Sequence, residues 1–167
     1  MRKSFLLLFC SIAMLLAFSG CRGKVAAGFS ESDLALTVAG KEYHTRDNIE
    51  TVMEVLGDGY QYAEGRSCDY DGLDKTYTYE AATFYTNPLT EGDLLAEIYS
   101  ESPETSTSKG ISPGATKADV LAAYGDPTEQ DEYILIYRAS EEIGSPSLCF
   151  ELEGDTVTAV FLTVDPV

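Results

Sequence analysis

The side chains in this sequence that could do chemistry are few and scattered. His44 is the single histidine, set in polar sequence beside Thr45, Arg46 and Asp47. A histidine-dependent triad needs a nucleophile poised against the imidazole. No nucleophile elbow is read in the chain, so His44 is expected at the surface where a helix begins. Asp69, Asp71 and Asp74, with Glu80 eleven residues past Asp69, outline a weak calcium candidate. A loop of the EF-hand kind wants an acid at its fifth position and glycine at its sixth; here those places hold Leu73 and Asp74. An Asp-Gly turn between strands accounts for the segment. One histidine and dispersed cysteines give no zinc-ligand spacing. No cofactor is expected, and no metal beyond that weak candidate.

Of the four cysteines, Cys10 and Cys21 lie near the N-terminus, while Cys68 and Cys149 fall one in each half of the remaining chain. A Cys68–Cys149 bridge would close a loop of 82 residues, counted from 68 to 149 inclusive. It would contribute roughly 4–5 kcal/mol through chain entropy. Alternatively, each cysteine is a plain buried residue, and both readings stand. Eleven tyrosines accompany no tryptophan. Tyr77 and Tyr79 share one strand face, as do Tyr133 and Tyr137. These four form either the helix-covered side of a sheet or a tyrosine-rich binding face.

What must position these residues is a helix-then-strands order that occurs twice. Ile49, Val52, Met53 and Leu56 make one apolar stripe on a helix near 46–56, with Asp47 and Glu50 as a capping box and Gly57 as the stop. The second helix is capped by Thr116 with Asp119 reaching back, buries Val120, Leu121 and Tyr124, and ends at Gly125 and Pro127. Superposing Gly57 on Gly125 lays Val52 on Val120, Met53 on Leu121 and Asp58 on Asp126, an offset of 68 residues. Residues 68–70, 75–79, 82–86 and 94–99 read as strands after the first helix, and 133–137, 148–152 and 157–162 after the second. Leu148, Phe150 and Leu152 alternate with Cys149, Glu151 and Glu153, which predicts one buried face and one wet face. The last strand is apolar on both faces, which suits a central place. Helices this short must lie on a sheet to persist. The expected fold is therefore α+β: two tandem α-β-β-β repeats, 34–100 and 110–167 around a connector 101–109, forming one antiparallel sheet with two short helices packed on one face.

The helix ending in Tyr124-Gly-Asp-Pro127, followed by strands that close on the Glu153-Gly-Asp155 hairpin, resembles the BamE (SmpA/OmlA) domain. The order is also similar to the tandem-repeat fold of β-lactamase inhibitory protein. Ser67 to Tyr79 followed by Gly110-Ile-Ser-Pro-Gly114 resembles lipoproteins of Gram-positive gut bacteria. BamE has two helices before its strands in a single unit, and the inhibitory protein has two helices and four strands per repeat, so the match is to architecture. Proteins of this build bind other proteins. The resemblance thus implies a non-catalytic binding module, a BamE-like envelope scaffold or a small inhibitor of a wall-active enzyme.

The N-terminus supplies an address. Met1-Arg-Lys3 is a basic start, Phe5 to Phe18 an apolar run too short to span a bilayer comfortably, and Ser19-Gly20 precede Cys21. Ser-Gly-Cys at this place resembles the lipobox of bacterial lipoproteins, with Phe18 where leucine is usual. Residues 1–20 are then a lipoprotein signal peptide, Cys21 the lipidated residue, and 21–33 a flexible tether. The full chain carries a net charge of −17. Loss of Arg2 and Lys3 leaves nine bases, two fewer than the original 11, against 28 acids, a net −19. A surface so anionic excludes nucleic acid as a partner. The expected partners are the membrane, through the lipid, and a protein on the extracytoplasmic side. Replacing Cys21 by Ser should move the protein out of the membrane fraction, and its persistence there would defeat the anchor.

Overall fold

A seven-residue and an eight-residue helix are too short to hold in water alone, so both must be carried by the strands they touch. In the computed structural model, which describes residues 28–164, they are α1 (Glu50–Leu56) and α2 (Lys117–Tyr124). The strands are β1 (Leu36–Val38), β2 (Lys41–Tyr43), β3 (Gln61–Arg66), β4 (Leu73–Thr78), β5 (Thr83–Leu89), β6 (Gly92–Ser100), β7 (Ser106–Thr107), β8 (Glu129–Gln130), β9 (Ile134–Arg138), β10 (Pro146–Glu153) and β11 (Thr156–Val164). Eight of them form one antiparallel sheet in the order β3-β4-β5-β6-β11-β10-β9-β8. The other three form a small antiparallel sheet, β2-β1-β7. The protein is thus α+β and mostly antiparallel.

Three expectations about the strands need correction. There are two sheets among the described residues, not one, because β7 lies in the segment 101–109 taken for a bare connector and pairs with β1. Thr105 and Thr107 of that segment are fully buried. Each helix is followed by four strands of the long sheet, not three, since β3 and the two-residue β8 carry no apolar alternation to betray them. Finally, residues 68–70 form a turn instead of a strand. The Ser67 hydroxyl accepts from the backbone N–H groups of Asp69 and Tyr70 at 3.4 and 3.2 Å, and the Ser67 N–H donates to Gly72 at 3.1 Å.

One row of side chains sets the buried face. Across the ladders, Tyr77 stands opposite Phe84, then Ile98, Leu162, Leu148 and Tyr137 in register. All six are buried. They join Val52 of α1, Val120 and Tyr124 of α2, and Leu36, Val38 and Tyr43 of the small sheet in one apolar cluster. Fully burying one such aliphatic or aromatic side chain is worth about 1.5–3 kcal/mol. Both helices and the small sheet therefore cover the same face of the long sheet. β11 sits in its middle, as its two apolar faces predict.

The helix ends differ in how they are held. At α2 the Thr116–Asp119 capping box forms, with the Asp119 N–H donating to the Thr116 hydroxyl at 3.2 Å. At α1 the expected Asp47–Glu50 box does not. Arg46 adopts φ 72°, and residues 46–49 are stitched to β6 through Arg46 N–H to Leu95 (2.7 Å), Leu95 N–H to Asp47 (2.8 Å) and Ile49 N–H to Asp93 (3.1 Å). That pairing takes the backbone that would have been the first helical turn. Asp47 instead accepts from the His44 N–H, and Asn48 from that of Glu50.

The segment 28–33, expected as the end of a flexible tether, is packed on the body. Phe29 lies 6.4 Å from the Tyr124 ring and 5.5 Å from that of Tyr137, and its N–H donates to the Tyr124 carbonyl at 2.9 Å. Glu31–Asp33 make a single 3₁₀ turn. Buried Asp33 receives Lys109 at 2.9 Å, the Ser30 N–H at 2.8 Å and the Ser108 hydroxyl at 3.2 Å. Burial pushes this carboxyl up, but the bonds from Lys109 and Ser30 outweigh it and hold it below the usual carboxylate range. A lowered native value stabilises the fold above about pH 4 and loses that contribution as pH falls through it. Asp33→Asn should therefore lower unfolding free energy by about 1–3 kcal/mol at pH 7 and flatten the acid limb of the stability curve. Denaturant titrations that superpose for the two proteins at pH 7 and pH 3 would contradict this.

Candidate interaction face on the long sheet

Side chains alternate across a sheet, so the row opposite the core is exposed to whatever lies beyond. In register this uncovered face carries Tyr85, Glu97, Thr163, Ser147 and Arg138 along one line. A second line carries Thr83, Tyr99, Phe161, Cys149 and Ile136. Tyr85 is 39% exposed, and Tyr99, Phe161 and Ile136 are half-buried and stand outside the apolar cluster under the helices. The Tyr99 and Phe161 rings lie 5.9 Å apart and tilted by 35°. Cys149 and Ser147 are buried in the same surface, so this face is wet at its edges and apolar in the middle.

Around Tyr99 its charges are carboxylates. The Tyr99 hydroxyl stands 3.1 Å from Glu101 and 3.2 Å from Glu151, and burial, then the charge of Glu151, pushes its pKa up. Burial also raises the Glu97 carboxyl, with the bond from Thr163 opposing and the charge of Glu151 adding. Arg138 belongs to the far side of the face, where its Nε donates to Glu129 at 3.0 Å and its guanidinium reaches the Ser147 hydroxyl at 3.4 Å.

The residues singled out in the sequence do not assemble into this face. Tyr77 and Tyr137 are in the core at 5% and 1% exposure. Tyr79 packs on the same side and donates to the Gly57 carbonyl at 2.9 Å, as Tyr137 donates to that of Gly125 at 2.9 Å. Tyr133 precedes β9 and is 65% exposed. The four are thus not one face: three belong to the helix-covered side, where Tyr79 and Tyr137 tie the helix ends to the sheet, and Tyr133 stands apart. The sequence signal for the face opposite the helices is Glu97 and Tyr99 alternating with Ile98, and Glu151 alternating with Phe150 and Leu152. Phe161 carries no such signal, because its strand is apolar on both faces.

The remaining candidates are also apart. Cys68 is exposed and free in the turn between β3 and β4, whereas Cys149 is buried in β10. Four inter-strand steps, about 19 Å, separate β4 from β10, too far for a bridge whose Cα atoms sit roughly 4.4–6.8 Å apart. His44 is half-exposed between Glu42 at 3.5 Å and Asp47 at 3.7 Å. Gly110-Ile-Ser-Pro-Gly114 does carry the letters of a Gly-x-Ser-x-Gly elbow, against the reading above. Yet Ser112 avoids the left-handed conformation, its carbonyl accepts from Ala115 in an ordinary turn at 3.1 Å, and α2 begins five residues later at Lys117. Asp69 and Asp71 are exposed in the turn, while Asp74 accepts from Asn87 at 3.0 Å. Among the described residues no three His, Cys, Asp or Glu side chains are grouped to hold a metal. Cys21 lies outside the described residues.

No family model, no curated protein and no solved structure matches this chain. Among the described residues no helix is long and apolar enough to cross a membrane. A maleimide reagent should label Cys68 in the native protein and reach Cys149 only after denaturation, as read by peptide mapping; protection of Cys68 would restore the bridge.

Proposed function

We propose that this protein is a membrane-anchored, extracytoplasmic, non-catalytic binding module that presents the uncovered face of its long sheet to a protein partner. The observation that carries the reading is the strip Tyr85, Tyr99, Phe161 and Ile136, which among the described residues stands outside the apolar cluster, on the side of the long sheet opposite the helices. Tyrosine and phenylalanine supply much contact area at small conformational cost and are enriched at interface centres. A sheet eight strands wide gives that strip a rigid support of about 33 Å, seven inter-strand steps.

The same reading takes the two halves as copies of one unit: α1 with β3 to β6, and α2 with β8 to β11. In both halves the chain runs from an edge strand, β3 or β8, inward to the β6–β11 junction, and the tyrosine-to-glycine bond at the helix end recurs as Tyr79–Gly57 and Tyr137–Gly125. Both support the likeness to BamE-like and inhibitory-protein-like architectures, which act through protein contacts. A photo-crosslinking residue at Tyr85 should trap a protein partner in the native cells. The same residue at Val55, exposed on α1 at 44%, should not. Identical adducts from both sites would remove the sheet face from consideration.

A further inference from the structure

The uncovered face holds more negative charge than it has donors to satisfy. The Tyr99 hydroxyl has one proton and two carboxylates within reach, Glu101 at 3.1 Å and Glu151 at 3.2 Å. At any moment one of them goes without it. Glu97, two residues before Tyr99 on the same face, adds a third carboxylate that feels the charge of Glu151 and has the Thr163 hydroxyl as its donor. Among the described residues, four cations with a bonded partner lie away from this cluster. Lys75 is held by Asp93 at 2.6 Å on the covered side, Lys109 by Asp33 at 2.9 Å, and Lys41 by the Thr51 carbonyl at 3.0 Å. Arg138 sits two strands beyond β11, engaged with Glu129. Glu97 and Glu151 are half-buried and Glu101 is exposed; carboxylates beside aromatic rings are costly to desolvate, so an apolar partner closing over them would bury uncompensated charge.

Resting on the binding-module reading, we propose that this face receives a basic side chain, an arginine or lysine of the protein partner, laid over the Tyr99–Phe161 pair with its charge among Glu97, Glu101 and Glu151. The rings offer their π-faces to the cation. The carboxylates offer the acceptors that a guanidinium fork or an ammonium group fills with charge-assisted hydrogen bonds. The cation supplies the donors that the lone tyrosine proton cannot. The same arrangement rejects acidic partners by repulsion, which gives the surface selectivity as well as adhesion.

A phage-displayed random dodecapeptide library panned on the detergent-solubilised protein tests this directly. Enriched peptides should carry arginine or lysine beside aromatic residues, and should bind the Glu97→Gln/Glu151→Gln double variant roughly tenfold more weakly, a loss of about 1.4 kcal/mol. Peptides that lack basic residues, or that ignore the double variant yet are lost on Phe161→Ala, would overturn the cation site and leave the sheet face intact. Peptides indifferent to both variants, or no enrichment at all, would overturn the face itself. Both glutamine variants keep side-chain shape, and Tyr85→Ala replaces Phe161→Ala should the latter unfold.

Discussion

The structure depends on one antiparallel seam. Only four residue pairs join β6 to β11: Val160 with Ser100, Phe161 with Tyr99, Leu162 with Ile98 and Thr163 with Glu97. Everything on one side of that seam belongs to the α1 half of the long sheet, and everything on the other to the α2 half. Because side chains alternate, the four pairs serve both surfaces at once. Leu162 and Ile98 continue the buried row from Phe84 to Leu148, while Phe161 and Tyr99 bring the two uncovered aromatics into contact. A slip of one residue would exchange core for surface in the whole α2 half. The hydrophobic burial of one face thereby fixes the composition of the other.

The covered side shows how so wide a sheet is roofed by so little helix. Two short helices cannot cover eight strands, and the small sheet β2-β1-β7 fills the middle with Leu36, Val38 and Tyr43. Thr107 of that small sheet links the layers: its hydroxyl receives the Tyr124 hydroxyl at 2.7 Å and the Ile111 N–H at 3.1 Å. The Thr107 and Tyr124 hydroxyls are thus bonded inside the roof, as burial demands, whereas the Tyr43 hydroxyl is buried there without a hydrogen-bond partner among the described residues. Lys109 completes the join by lying 4.5 Å over the Tyr124 ring while paired with Asp33.

Much of this was legible in the sequence where apolar residues keep a strict period. The stripes Ile49–Val52 and Val120–Tyr124, the Thr116 cap and the alternation in β10 all describe real elements. What escaped detection has little apolar content or is decided by distant partners. β3 is exposed throughout, β7 and β8 have two residues each, and the α1 cap yields to a pairing with β6 that no local signal announces. The tyrosines leave two readings open for a related reason. A tyrosine has an apolar body and a polar tip, so Tyr79 and Tyr137 can be packed under a helix and still donate to its terminal carbonyl. Composition alone does not separate that use from a contact surface.

Phe29 carries a consequence for reach. Its ring is wedged against Tyr124 and Tyr137, so the folded body begins at the closing turn of α2, well before the strands. If Cys21 bears the lipid, seven residues lead from it to Gly28, and a chain of that length spans at most about 25 Å whatever path it takes. The module would then be leashed close above the bilayer with the end of α2 toward it. Its search would be confined to a thin shell of the envelope, where high local concentration replaces intrinsic affinity.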